Sequence, residues 1–136
     1  MKTHVYVIAI IKKGDAVLMR KKPDGTGPYK EPWYLFGAEI DGNNQDSEKA
    51  VQDRVRGMAG IEIKMGDKLT WNTEAKADPD GNDAFYVYLD TMFEYVSGDL
   101  KPGEGIEKLE WIPVDKLRDY DLVPPSKKLL QRIGWL

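Results

Sequence analysis

The sequence predicts an α+β fold (α/β in the broad sense) in which a mixed β-sheet lies between helices. Three observations predict it. Segments rich in β-branched and aromatic residues stand on both sides of one long helical segment at residues 47–58. A second helical segment, Lys127–Ile133, follows close to the end of the sequence. No internal repeat or low-complexity linker interrupts the 136 residues, which read as one domain, 1–136.

The elements follow in order. His4–Lys12 is β-branched and aromatic, Gly14-Asp15 turns the chain, and Ala16–Lys22 runs back to form a hairpin. Residues 23–32 hold three prolines and two glycines and form a loop. Trp33–Phe36 is a short strand that delivers the chain to Gly37. Asp46 or Ser47 caps the helix at 47–58, where Val51, Val55 and Met58 recur on one face. Gly60 suits the left-handed residue that ends such a helix.

Ile61–Lys64 and Leu69–Ala75 read as two further strands. In Asp78–Asp83, Asp78, Asp80 and Asn82 alternate as in part of a calcium loop. The glycine and the final glutamate of that motif are missing and no helices flank it, so a hairpin loop is expected. Ala84–Val96 is the longest strand signal, with Phe85, Val87 and Leu89 on one parity and Tyr86, Tyr88 and Asp90 on the other. After a break at Gly98–Gly105, Glu107–Pro113 is a strand and Val114–Asp119 a short helical turn. Pro124-Pro125-Ser126 opens the last helix, which ends near Gly134.

Composition excludes several classes of function. Net charge is −3 with both signs interspersed, and no block of Lys or Arg forms a nucleic-acid footprint. There is no cysteine, so disulfides and thiolate metal sites are excluded. The single histidine, His4, sits in the first strand and reads as structural or exposed rather than as a ligand. The apolar run Val5–Ile11 is too short to span a bilayer and no signal-peptide cleavage pattern follows it. No membrane partner is expected, and a cytoplasmic location is.

The most informative stretch is Phe36-Gly37-Ala38-Glu39-Ile40-Asp41-Gly42, followed by the helix that closes at Ala59-Gly60-Ile61. Around it lie Arg20-Lys21-Lys22, Gly27-Pro28-Tyr29 and Pro32-Trp33-Tyr34-Leu35, then Glu48-Lys49-Ala50, Glu110-Trp111-Ile112-Pro113 and Pro124-Pro125-Ser126-Lys127. Their order and spacing resemble the Nudix hydrolase superfamily along nearly the whole chain. The resemblance implies an α/β/α sandwich and a loop–helix–loop that holds Mg²⁺ or Mn²⁺ for pyrophosphate cleavage.

That box ends Arg-Glu-U-x-Glu-Glu-x-Gly-U in the family, with U aliphatic. Setting its last Gly-U on Gly60-Ile61 puts U on Val55 and Asp53 on the arginine. Arg54, Gly57 and Met58 then stand where the resemblance implies glutamates. The loop from Gly37 to Ala50 is one residue longer than the family pattern, so the early glutamate falls on Asn44 or Gln45. Glutamates at i, i+3 and i+4 share a helical face and can converge on a hard cation; a cation, a glycine and a thioether cannot. No cofactor is therefore expected, with Mg²⁺ or Mn²⁺ only for an active hydrolase.

The candidate residues each carry two readings. The Arg54 guanidinium either replaces the metal's charge beside an anionic ligand, or is solvated or paired with Glu39 or Asp41. Gly57 either permits close backbone approach or reflects relaxed constraint, and Met58 continues the apolar stripe. Glu39 and Asp41 are the candidates for a residual metal site, against solvated charge. Glu104 and Glu107 lie where the family places a late general base. Arg20, Lys22, Tyr29 and Trp33 border the cleft that the family architecture implies, where cations suit phosphate and aromatics suit a base. Against this, Arg20 and Lys22 read as a solvated strand end and Trp33 as core.

Three functions follow. A pseudoenzyme with a degenerate Nudix box holds a nucleotide or other phosphorylated small molecule without turning it over. A divergent hydrolase cleaves a nucleoside diphosphate derivative with other carboxylates. An interaction scaffold pairs through exposed sheet edges, as a homodimer for example.

Overall fold

The computed structural model describes residues 1–136. Seven strands form one sheet: β1 (Lys2–Lys13), β2 (Ala16–Lys21), β3 (Trp33–Tyr34), β4 (Phe36–Ile40), β5 (Glu62–Ala77), β6 (Asp83–Ser97) and β7 (Lys108–Pro113). Two α-helices, α1 (Ser47–Ala59) and α2 (Pro124–Arg132), flank it, and Val114–Asp119 is a 3₁₀ turn. The sheet is mixed, as expected: β1 runs parallel to β6, and the other pairings are antiparallel.

The pairing of β1 creates a fork. On one side β1 follows β6 from Lys2 to Lys12. On its other side Val5–Ala9 pairs with β4, and only Lys12 and Lys13 pair with β2. The chain that fills the fork changes partner as it passes. Trp33 and Tyr34 pair with β2, whereas residues 36–40 pair with β1, leaving Leu35 at the crossing. Leu35 N–H donates to Ser126 Oγ at 3.1 Å and its carbonyl accepts from Arg20 Nε at 3.1 Å. Both backbone groups of the crossing residue are thus satisfied by side chains, as a buried segment requires.

Each helix covers one face. α1 buries Ala50, Val51, Val55 and Ala59 against Val7, Ala9, Phe36 and Phe93. Each of the two valines contributes roughly 1.5–3 kcal/mol by leaving water. The Asp46 side chain caps the helix by accepting from Lys49 N–H at 3.1 Å. Gly60 ends it at φ 73°, the left-handed conformation expected there. On the opposite face α2 places Leu129 and Leu130 against Ile10, Met19 and Ile112.

Two expectations are corrected. The segments read as Ile61–Lys64 and Leu69–Ala75 are one continuous strand, β5, because bulges between Met65 and Thr70 absorb Gly66 and Asp67 without ending the ladder. The last helix starts at Pro124 rather than Lys127, since proline at the first helical positions lacks only an N–H that would be unpaired anyway. Asp78–Asp83 is a tight connection between β5 and β6: Asp78 Oδ1 accepts from the N–H groups of Asp80 and Asn82 at 3.0 Å.

Candidate functional site

A cleft of about 630 Å³ opens at the fork, on the α2 side of the sheet. β1 contributes Tyr6 and Ile8, β6 contributes Tyr88 and Asp90, and α2 contributes Leu129 and Arg132. Gly37 lies in its lining opposite Ile8, where any side chain would press on Val7 O at 2.9 Å. The Arg54 guanidinium from α1 and Arg20 from β2 reach the same cleft, as does Tyr29 from the loop.

Arg20 is held by three contacts. Its Nε donates to Leu35 O, and its guanidinium lies 4.7 Å from the Tyr34 ring centre and 5.8 Å from that of Phe36. Burial, and then the nearby charge of Arg54, lower its pKa to about 10. Neither Arg20 nor Arg54 has a carboxylate partner. With Lys128 they line one cavity whose two acids, Glu74 and Asp90, pair instead with Lys76 and Arg132, an arrangement that leaves the guanidiniums suited to an anion. The alternative pairing of Arg54 with Glu39 or Asp41 does not occur: Glu39 accepts from Tyr6 OH at 3.4 Å and shares a hydrogen bond with His4 Nδ1 at 2.8 Å, and Asp41 accepts from Asn43 N–H at 2.8 Å.

Asp90 carries the second feature. It is 2 % exposed, in the middle of β6. Arg132 donates to its Oδ2 at 3.1 Å, while its Oδ1 is buried without a partner. Burial, opposed by Arg132, holds this carboxyl above the usual carboxylate range. An unsatisfied buried acceptor costs about 1–3 kcal/mol. Tyr6 and Tyr88 hydroxyls are also pushed up, chiefly by burial.

The other candidates lie elsewhere. Trp33 is in the core, edge-on to Tyr120 at 5.2 Å, and does not line the cleft. The Lys22 ammonium donates to the carbonyls of Thr26 and Tyr29, pinning the loop rather than facing a ligand. Glu107 pairs with Lys21 at 3.1 Å, and neither Glu107 nor exposed Glu104 borders the cleft. Gly57 has open space on its side-chain side, so close approach does not explain it there. Met58 is partly buried and packs at the margin of the core under α1, the cluster to which Ala38 also belongs.

The donor set does not fit a hard divalent cation. Asp53 is tied to Lys49 and Arg56, and Glu48 Oε2 accepts from Met65 N–H at 2.8 Å. No three His, Cys, Asp or Glu side chains converge, and Mg²⁺ or Mn²⁺ wants several oxygen donors together.

The family model described as NUDIX domain matches residues 2–133. The chain belongs to the Nudix family. A relative, the nucleoside triphosphatase NudI of Klebsiella pneumoniae (strain 342), is 22 % identical over 142 residues that cover all of both chains. Among solved structures, a MutT NUDIX hydrolase from Burkholderia pseudomallei is similar with TM-score 0.72 and 20 % identity, over 98 % of this chain and 100 % of that one. A NUDIX hydrolase from Nitrosomonas europaea gives 0.73 and 16 %, over 97 % and 70 %. The NUDIX domain of Shewanella oneidensis NrtR, solved with ADP ribose, gives 0.66 and 14 %, over 98 % and 86 %. These likenesses establish the Nudix fold. No helix of the chain is long and apolar enough to cross a membrane.

Sequence reasoning reached Arg20, Arg54 and Tyr29 but missed Asp90, Arg132, Tyr6 and Tyr88. One signal was present: an acid inside the aromatic and β-branched run of residues 84–96 is out of place in a strand covered on both faces.

Proposed function

We propose that this Nudix protein binds a nucleotide or other phosphorylated small molecule in the fork cleft, and has lost metal-dependent pyrophosphate hydrolysis. One observation carries the reading: Arg54, standing where the family resemblance implies a glutamate, faces the cleft beside Arg20 with neither charge paired. Fixed guanidiniums replace the role of a metal in neutralising phosphate, but they supply no activated water. The tyrosines of the cleft offer faces on which a base lies.

A thermal-shift screen with nucleoside di- and triphosphates in EDTA tests binding: a bound ligand raises the melting temperature, and an unmoved transition across the panel refutes the reading. Phosphate release with Mg²⁺ or Mn²⁺ tests the loss of activity. Turnover above about 1 s⁻¹, the low end of ordinary enzymes, would refute it.

A second reading is a divergent, active hydrolase. The name of the NudI relative, a nucleoside triphosphatase, favours it, and the same turnover assay decides. A third is a scaffold that pairs with a second copy. Trp71 favours it, since it is 71 % exposed on β5, an edge strand. Sedimentation of the wild type and Trp71→Ser distinguishes a dimer from a monomer.

A further inference from the structure

Resting on the nucleotide-binding reading above, we propose that the ring of the bound ligand lies in a second cavity beside the cationic cleft, where tyrosines hold a flat, uncharged heterocycle by its face and favour a purine. This cavity, of about 690 Å³ and more open than the cleft, lies between the loop after β2 and the β5–β6 connection. Tyr29 lines it from the loop, Asp78 and Pro79 from the connection, and Tyr6, Tyr86 and Tyr88 from the sheet. Tyr6, Tyr29 and Tyr88 also line the cleft, so the two spaces are continuous.

The two spaces offer different chemistry. The cleft holds Arg20, Arg54 and Lys128, none with an ion-pair partner. The second cavity has one cation, Lys76, and Glu74 pairs with it at 3.3 Å. The Tyr88 hydroxyl donates to Glu74 at 3.0 Å and that of Tyr6 to Glu39 at 3.4 Å. Asp78 Oδ1 accepts from the backbone N–H groups of Asp80 and Asn82. With these polar groups engaged, the ring faces are what the cavity presents to a ligand. Tyr6, Tyr29 and Tyr88 are each partly exposed and within a ligand's reach. Tyr86 is mostly covered and acts as backing, nearly parallel to Tyr88 and His4 with ring centres 6.1 Å and 4.9 Å away. Stacking of this kind reads a heterocycle by its area rather than by its edge, and a purine covers more than a pyrimidine.

The test is calorimetry in EDTA with pyrophosphate and with adenosine, guanosine and uridine diphosphates. In the wild type both purine diphosphates bind about tenfold tighter than pyrophosphate, and uridine diphosphate falls below them. Tyr88→Leu and Tyr29→Leu cost the purine diphosphates about tenfold and pyrophosphate far less. Tyr88→Phe keeps the ring and the affinity, which separates stacking from the hydroxyl's bond to Glu74. The backbone amide resonances of Ala77 and Asp78, which border the second cavity and not the cleft, shift with adenosine diphosphate and stay put with pyrophosphate. A loss in Tyr88→Phe equal to that in Tyr88→Leu overturns the proposal. So does uridine diphosphate binding as tightly as the purine pair, or adenosine diphosphate leaving those amides unmoved. If pyrophosphate and all three nucleotides fail to bind, the binding reading falls and takes this proposal with it. Nucleotides that bind no tighter than pyrophosphate remove this proposal alone.

Discussion

Arg20 donates its Nε to Leu35 O at 3.1 Å, at the single residue where the chain passes from pairing with β2 to pairing with β1. The same guanidinium lines the cleft, and its charge, like those of Arg54 and Lys128 there, has no ion-pair partner. Structure and recognition are therefore joined in one side chain. Arg20→Ala should leave the Leu35 carbonyl without its donor and cost about 1–3 kcal/mol in urea denaturation. It should also weaken pyrophosphate binding by about tenfold, whereas Arg54→Ala should weaken binding with little loss of stability. Equal behaviour of the two variants in both measurements would refute this division of roles.

The box backbone can be tested by putting the glutamates in. Gly57 has room for a side chain, and Arg54 is exposed, so both accept glutamate sterically. Met58 packs on the α1 core, and Met58→Glu should cost about 1–3 kcal/mol. The triple variant should bind Mn²⁺ measurably by calorimetry where the wild type does not. Failure to bind would mean that the longer loop between Gly37 and Ala50 has moved the remaining donors out of reach.

Asp90 predicts a pH dependence of stability. Its folded pKa lies above the ordinary value of 3.8, so the folded state keeps the proton to higher pH than the unfolded chain. Its contribution to stability is therefore full below that ordinary value and is lost as pH rises through the folded pKa. Asp90→Asn does not titrate. Measured from about pH 3 to about pH 7, the variant should gain stability relative to wild type as the pH rises. A constant difference would show that the carboxyl titrates alike in both states.

Lys22 predicts an indirect effect on binding. Its ammonium holds the carbonyls of Thr26 and Tyr29, and Tyr29 lines the cleft. Lys22→Met keeps the buried stem and removes the donors. Stability should fall by about 1–2 kcal/mol, and nucleotide affinity by a fewfold as the Tyr29 loop loosens. Hydrogen exchange in residues 23–32 should rise in step; unchanged exchange there would exclude the loop as the cause.

Local features were legible in the sequence. The Val51–Val55 stripe, the Asp46 cap and the Gly60 stop each depend on neighbours within a turn or two, and the structure has all three. What depends on distant pairing was not. Gly66 and Asp67 read as a break because nothing nearby reveals that β6 continues alongside them. For Lys22 and Trp33 the sequence leaves the cleft open against a solvated strand end and the core; Lys22 in fact pins a loop, and Trp33 takes its core reading. Asp90 needed Arg132, forty-two residues away, before its half-satisfied carboxyl could be recognised.

The parallel pairing of β1 with β6 has a consequence for how the chain acquires its structure. Lys2 lies against Ala84, so the strand at the centre of the sheet finds its longest partner only across most of the sequence. Closing so large a loop is entropically slow. During synthesis the first strand emerges long before β6 exists, and Val7, Ala9, Ile10 and Ile11, all buried at the end, stay without their main partner until then. Until β6 is made, this apolar strand is where a chaperone would find the nascent chain.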